Sequence, residues 1–262
     1  MKKTALKLCR YLGAIAFWVA VWFVIAGIVG LELIVPSPLS VLSALWNLVR
    51  SADFWLSTAS SLLRVAVGVG ISLVIGCAAA YLIWRSKILN TLLSPLLSII
   101  KSTPVASFIV IAWLWFDTSA LPIFISSLIV IPIITANVSQ GIASVDNDLL
   151  EVANVYKLSV FKRLFKLYVP SVAPYFLAAC KASLGMAWKA SVAAELIVLC
   201  KNSIGREIYD SKLMLETADV FAWTVVIIIL SIVAEKLLIL LLKYIGRAAK
   251  LLPPKGEINA EN

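Results

Sequence analysis

The chain has 262 residues, of which 62% are hydrophobic, and it carries a formal net charge of +9 without any histidine. Soluble domains are about half apolar, so this composition excludes an ordinary soluble enzyme and predicts a protein with several membrane spans. The stretches between the apolar runs are too short for a separate soluble domain, and residues 1–262 are therefore expected to form one all-α transmembrane domain.

Six apolar runs are long enough to cross a bilayer, since about 20 helical residues span its hydrocarbon core. The first run is expected to be a retained span and not a signal peptide, because it is long and no small-x-small cleavage site follows it. The third run contains Pro95 and Pro104, which predict a kinked helix or a short interfacial helix followed by a span. The six predicted spans are residues 11–31, 57–84, 90–116, 119–141, 171–198 and 218–243.

Two connecting segments have a pattern of their own. Residues 36–51 carry Leu39, Leu42 and Trp46 at helical spacing after a Pro-Ser-Pro turn, which predicts a short interfacial helix. Residues 200–219 mix positive and negative charges, and we expect them to form a partly ordered loop.

The basic residues lie mainly at the ends of the spans, which indicates membrane topology and not nucleic-acid binding. With the N-terminus inside, the cytoplasmic segments contain 14 Lys and Arg and the external segments contain four. This excess predicts that both termini and the segment of residues 142–170 are cytoplasmic. The four cysteines have no metal-ligand spacing, so no metal site is predicted.

The segment of residues 151–170 reads EVANVYKLSVFKRLFKLYVP and is unusually basic for this chain. Asp146 or Asp148 can cap a helix over residues 149–168, with an apolar stripe on one side and basic residues on the other. Two interpretations remain open from the residues alone. The helix could rest on anionic lipid headgroups, or it could dock a cytoplasmic partner.

The same segment resembles the cytoplasmic loop of the membrane subunits of binding-protein-dependent ABC importers. That loop reads Glu-Ala-Ala, three residues, Gly, nine residues, then Ile-x-Leu-Pro, and here the pattern falls on Glu151, Ala153, Lys157 and residues 167–170. Lys157 stands where the family has glycine. A left-handed turn there costs a lysine roughly 1 kcal/mol or more, which a more regular turn would avoid.

Four further segments resemble the same family in the same order: residues 36–45, 60–76, 92–116 and 184–197. On these residues the chain is identified as a member of the ABC importer permeases, similar to the nitrate, taurine and alkanesulfonate branch. The resemblance implies a type I permease fold with about six transmembrane helices. It also implies import of a small solute, such as an organic anion of the sulfonate class, through the plasma membrane.

The resemblance further implies three protein partners: a cytoplasmic ATPase, an extracytoplasmic solute-binding protein, and a second permease subunit, usually an identical one. ATP and Mg²⁺ are expected on the ATPase, because this chain has no GxxxxGK[ST] phosphate loop and no nucleophile–base set. The chain is therefore expected to have no enzyme activity and no cofactor of its own. The residues expected to meet the ATPase are Glu151, Ala153, Lys157, Leu158 and Ser159.

Charged residues inside the spans are costly and are expected to face a cavity or a partner. Lys181 and Lys189 are eight residues apart, about 80° around a helix and about 12 Å along it, and with Trp188 and Glu195 they are the candidate residues of the translocation path. Two cations would suit a small anion. Alternatively, Lys181 holds a gate and Lys189 pairs with a carboxylate of another span.

Glu195 could pair with Lys189, with Arg206 or with the binding protein, whereas Arg64 is expected to be a structural partner. Two other functions compete with the importer interpretation: a secondary transporter driven by an ion gradient, and a membrane scaffold. The first is disfavoured by the absence of a visible inverted repeat. The solute itself stays open, and pyrimidine-type vitamin precursors are an alternative to anions.

Overall fold

The computed structural model describes residues 2–248, and within this range the protein is all-α, as predicted. The helices are α1 (Lys2–Val29), α2 (Pro38–Arg50), α3 (Ala52–Arg85), α4 (Lys87–Ser102), α5 (Val105–Ala112), α6 (Leu121–Ala143), α7 (Asn147–Val155), α8 (Val160–Arg163), α9 (Val169–Val198), α10 (Ile204–Leu213) and α11 (Thr217–Ala248). A π-helical turn, Leu164–Tyr168, joins α8 to α9. The basic C-terminal segment used to predict topology lies largely outside the described residues.

Four of these helices are long and apolar enough to cross a membrane: α1, α3, α6 and α11. The pair α4 and α5 would make a fifth crossing, although the two helices meet at an angle of 104°. The break follows Thr103, because Pro104 cannot donate the next helical hydrogen bond. The remaining predicted span, α9, is 30 residues long but carries three charged residues, and it does not pass the same test of apolarity.

Helices α3 and α6 run parallel and in close contact. The hydroxyl of Ser127 donates to the carbonyl of Gly68 at 3.0 Å, and that of Thr135 donates to the carbonyl of Gly76 at 3.2 Å. Small residues allow such close approach, and polar side chains then bond across the interface. Because both helices point the same way, α4 and α5 must return the chain across the bundle between them.

The other long helices alternate in direction. Helix α9 is antiparallel to α6, since Ala194 clusters with Ile125 while Tyr175 lies against Gly141. Helix α11 starts where α3 starts, because the rings of Trp223 and Phe54 stack 5.1 Å apart. The chain therefore traverses the bundle in alternating directions. We call the two ends of the bundle the α10 end, which also holds α2, and the α7 end, which also holds α8.

The structure confirms the prediction for one of the two connecting segments and not for the other. Helix α2 confirms the predicted short helix, with Leu39, Leu42 and Trp46 all more than half exposed. The prediction of a partly ordered loop over residues 200–219 is wrong, because the segment contains α10. The hydroxyl of Ser203 accepts the backbone N–H of Arg206 at 3.1 Å and caps that helix.

Candidate coupling and translocation sites

The predicted continuous helix over residues 149–168 is wrong, because the chain breaks between α7 and α8. Asp146 caps α7 by accepting the N–H of Asp148 at 2.9 Å, and the helix ends at Val155. We call the connecting residues 156–159 the elbow. Beyond it, α8 and the π-helical turn lead directly into α9.

The elbow is left-handed at Lys157, whose φ is 47°. The N–H of Leu158 donates to the carbonyl of Ala153 at 3.0 Å, which is the six-residue closure of a Schellman turn. This position favours glycine, since a side chain there costs roughly 1–2 kcal/mol. Of the two alternatives left open by the sequence, the turn is the left-handed one, at the position where the related loops have glycine.

The side chain of Arg163 makes two further hydrogen bonds to the backbone around the elbow. The Nε of Arg163 donates to the carbonyl of Leu158 at 3.0 Å, and its Nη2 donates to the carbonyl of Ala153 at 3.4 Å. Arg163 also borders a largely apolar cavity of about 810 Å³ at the α7 end, between α3, α6 and α9. The guanidinium therefore joins the last turn of α7 and the elbow to the end of α8, where Arg163 lies.

The predicted coupling residues differ in exposure. Glu151, Lys157 and Ser159 are exposed, Leu158 is half-buried, and Ala153 is 1% exposed, so the Ala153 side chain is not on the surface of the chain. The sequence analysis placed four apolar side chains in the apolar stripe of the predicted helix and did not assign them to the ATPase contact, although each is at least 75% exposed: Val155, Tyr156, Val160 and Phe161. Their position could have indicated such a role, because they lie on both sides of Lys157, where the family has glycine.

One face of α9 is uncovered along most of its length. Lys181 and Lys189 both lie on it and have no carboxylate within salt-bridge distance among residues 2–248. The alternative in which Lys189 pairs with a carboxylate of another span is therefore not realised within the described chain. We call this surface the open face of α9, and it comprises Pro174, Ala178, Lys181, Ala182, Met186, Lys189 and Ala193.

The other two candidate path residues point away from the open face. Trp188 is 1% exposed and belongs to the main hydrophobic core. Glu195 is fully buried, and its Oε1 lies 3.2 Å from Nη1 of Arg64 on α3. The expectation that Arg64 is a structural partner is confirmed, whereas the suggested pairing of Glu195 with Lys189 or Arg206 is wrong.

Glu195 joins three helices at the α10 end. Its Oε2 accepts the hydroxyl of Ser61 on α3 at 2.8 Å and the N–H of Gly205 on α10 at 3.4 Å. Ser61 in turn accepts the N–H of Ile204 at 3.0 Å. Buried charges are tolerated when such bonds surround them, so this carboxylate fixes α10 against α3 and α9.

Comparison with known proteins identifies the family. Residues 72–250 match the family described as binding-protein-dependent transport system inner membrane component. The nitrate import permease NrtB of Synechococcus elongatus is 29% identical over 212 residues, which cover 77% of this chain and 75% of NrtB. The bicarbonate transport permease CmpB of the same species is 30% identical over 159 residues, 60% of this chain and 57% of CmpB.

Two further comparisons agree. SsuC of Bacillus subtilis, provisionally named an aliphatic sulfonates transport permease, is 28% identical over 215 residues, which cover 79% of this chain and 76% of SsuC. The fold is shared with a bacterial ABC transporter that imports the acidic polysaccharide alginate, with a TM-score of 0.59 at 18% identity over 94% of this chain and 98% of that chain.

The family match covers more than half of the chain, and the fold is that of a type I permease. The chain is therefore a membrane transport protein, and several of its helices are long and apolar enough to cross a bilayer. It belongs to the binding-protein-dependent ABC importer permeases, in the branch that includes the nitrate and sulfonate permeases.

Proposed function

We propose that two copies of this chain form the translocation path for a small anion, driven by ATP hydrolysis on a separate cytoplasmic ATPase. The observation that carries the proposal is the pair Lys181 and Lys189 on the open face of α9. The relatives' names support an anionic solute, since they specify nitrate, bicarbonate and aliphatic sulfonates.

A second copy of the chain is the proposed cover of the open face. Lysine side chains facing lipid at mid-membrane are costly, and both lysines lie on a helix whose other sides are buried. The neighbouring Ala178, Ala182 and Ala193 are small enough to leave a passage between two facing α9 helices. Such a homodimer would present four cations to the solute.

The elbow is the proposed ATPase contact. The positive-inside rule supports a cytoplasmic α7 end and cytoplasmic termini. The elbow and the residues beside it expose apolar side chains that a protein groove would cover. Tyr156 and Phe161 are each 75% exposed, close to the charges of Glu151 and Lys157. ATP and Mg²⁺ would bind to the ATPase, and closure of the ATPase pair would move α7.

The α10 end is the proposed docking surface for the solute-binding protein. A cavity of about 580 Å³ opens there, lined among others by Glu32, Asn47, Glu216 and Asp219. A solved neighbour is described as an alginate ABC transporter in complex with its periplasmic protein. Delivery at this end and ATPase docking at the other would give the path its direction.

Reconstitution tests the proposal. The chain would be placed in liposomes with its candidate ATPase and binding protein, and uptake of nitrate, bicarbonate and methanesulfonate would be measured with and without ATP. Uptake of at least one of these anions that requires both ATP and the binding protein is the expected result. Uptake that persists without ATP, or a complex that carries none of these anions, would contradict it.

A further inference from the structure

We propose that Arg163 is a positioning residue that holds the elbow rigid, so that movement of α7 reaches the open face of α9. The inference rests on the proposed docking of the ATPase at the elbow. Arg163 has no part in that contact itself. Its role is to brace the backbone that would carry the movement.

The need for a brace follows from how α7 is attached. Within the described residues, no helix of the bundle packs extensively against α7. Its connection to α8 passes through Lys157, a non-glycine residue held at φ 47°. A strained residue of this kind is a natural hinge, because a force on α7 can be relieved by a change in its φ and ψ.

Arg163 bonds to both sides of that hinge. Its two acceptors, the carbonyls of Ala153 and Leu158, stand before and after Lys157 at 3.4 Å and 3.0 Å. The planar guanidinium can bridge two acceptors with fixed geometry, which an ammonium group cannot do. Its charge also lies at the C-terminus of α7, where a cation is favourable.

Arg163 is also connected, through the backbone, to the helix that carries Lys181 and Lys189. Arg163 directly precedes the π-helical turn Leu164–Tyr168, and this turn continues without a break into α9. The guanidinium therefore links the last turn of α7 to the helix that carries Lys181 and Lys189. With the elbow braced, α7 and the start of α9 would move as one body.

The chain offers matched controls on the same short segment. Lys162 and Lys166 are exposed basic residues on either side of Arg163, and neither side chain makes a hydrogen bond or a salt bridge among the described residues. A docking or headgroup role that depends on positive charge would involve these lysines as much as Arg163. A bracing role would involve Arg163 alone.

The test measures ATP hydrolysed per anion imported by the full complex in liposomes, using the anion among nitrate, bicarbonate and methanesulfonate that the wild type carries. Arg163→Met should raise this ratio by about threefold or more, since losing a bond to a charged group shifts the elbow equilibrium by at least that much. Lys166→Met should leave the ratio unchanged, and ATPase association should be near wild type in both.

A charge-conserving variant separates bracing from a contact that depends on charge. Arg163→Lys keeps the positive charge, but its ammonium group cannot bridge the two carbonyls with fixed geometry, so its ratio should be raised as in Arg163→Met. A wild-type ratio in Arg163→Lys would overturn the inference, as would a wild-type ratio in Arg163→Met. If Arg163→Met fails to assemble, Arg163→Lys carries the test alone.

Amide hydrogen exchange measures the stability of the elbow directly and does not require transport activity. In the assembled complex, the Leu158 amide should exchange about tenfold faster in Arg163→Met than in the wild type, with no change in Lys166→Met. Equal exchange in the wild type and Arg163→Met would overturn the inference even if no anion were carried. A wild-type complex without ATP-dependent uptake would contradict the proposed function instead.

Discussion

The guanidinium of Arg64 lies 3.2 Å from the carboxylate of the fully buried Glu195, so an ion pair ties α3 to α9 at the α10 end. The two partners are not equivalent. The side chain of Arg64 is 14% exposed and also donates to the backbone carbonyls of Lys201 and Asn202 at 3.1 Å and 3.3 Å. Glu195 has no access to water.

This asymmetry predicts unequal costs of substitution. Arg64→Met strands a buried carboxylate and should destabilise the protein by about 3–5 kcal/mol. Glu195→Gln keeps an oxygen for the Ser61 hydroxyl and leaves Arg64 with its carbonyl partners, so the loss should be clearly smaller. Thermal unfolding of both variants in detergent measures the difference, and an equal or larger loss for Glu195→Gln would contradict the account.

Lys157→Gly should stabilise the protein locally. Glycine adopts the left-handed conformation without a steric penalty, and the expected gain is about 1 kcal/mol. Tyr156→Gly is the matched control, because Tyr156 has an ordinary φ of −78° and glycine there should give no gain. The measurement is the rate of limited proteolysis at the elbow. Equal protection by the two substitutions would argue against strain at Lys157.

Gly76→Ala should disturb the contact between α3 and α6. An added Cβ would lie 2.8 Å from both Cβ and Cγ2 of Ile134, so the helices would have to separate. Overpacking of this kind costs about 1–3 kcal/mol. The control is Gly70→Ala on the same helix, where an added Cβ meets nothing within 4 Å. A thermal shift as large for Gly70→Ala as for Gly76→Ala would contradict the packing assigned to α3 and α6.

Glu207 on α10 should make stability depend on pH. Burial raises the pKa of its carboxyl above the ordinary 4.5, although the Ser57 hydroxyl, which donates to it at 2.9 Å, lowers that pKa in part. The folded protein thus favours the protonated form. Protonated Glu207 therefore contributes to the free energy of unfolding. This contribution is fully present below pH 4.5, the pKa of the carboxyl in the unfolded chain, and is lost as the pH rises through the higher pKa of the folded protein.

Glu207→Gln should remove this loss. The variant is therefore expected to be more stable than the wild type at neutral pH, and the gap should close towards acid pH. The measurement is the unfolding temperature across the pH range. Glu216→Gln, which changes an exposed carboxylate at the same end, is the control. A wild type that is more stable than Glu207→Gln at neutral pH would refute the assignment.

The sequence predicted much of the fold because hydrophobic runs report directly on membrane spans. It missed α10, whose helix depends on the Ser203 cap and on packing against α9. The amphipathic pattern also hid the break at the elbow, because it continues through residues 149–168 while the backbone turns at one residue. Only the family's glycine position, at Lys157, indicated that a left-handed turn was possible there. Local periodicity carries no information about a single left-handed residue.

The site was predicted less completely than the fold. Lys181 and Lys189 lie on the open face, but Trp188 and Glu195 lie on the buried sides of the same helix. One helix presents all four residues at spacings that do not reveal which side is covered. The pairing of Glu195 with Arg64, 131 residues away, depends on tertiary packing that no local pattern encodes.

The most direct test of the central claim is anion uptake by the reconstituted complex, comparing wild type with the double variant Lys181→Gln and Lys189→Gln. Met186→Leu, on the same open face, is the control. The account predicts ATP-dependent uptake by wild type and by Met186→Leu, and about tenfold or greater loss in the double variant with ATPase association retained. Undiminished ATP-dependent uptake in the double variant, or uptake without ATP in the wild type, would contradict it.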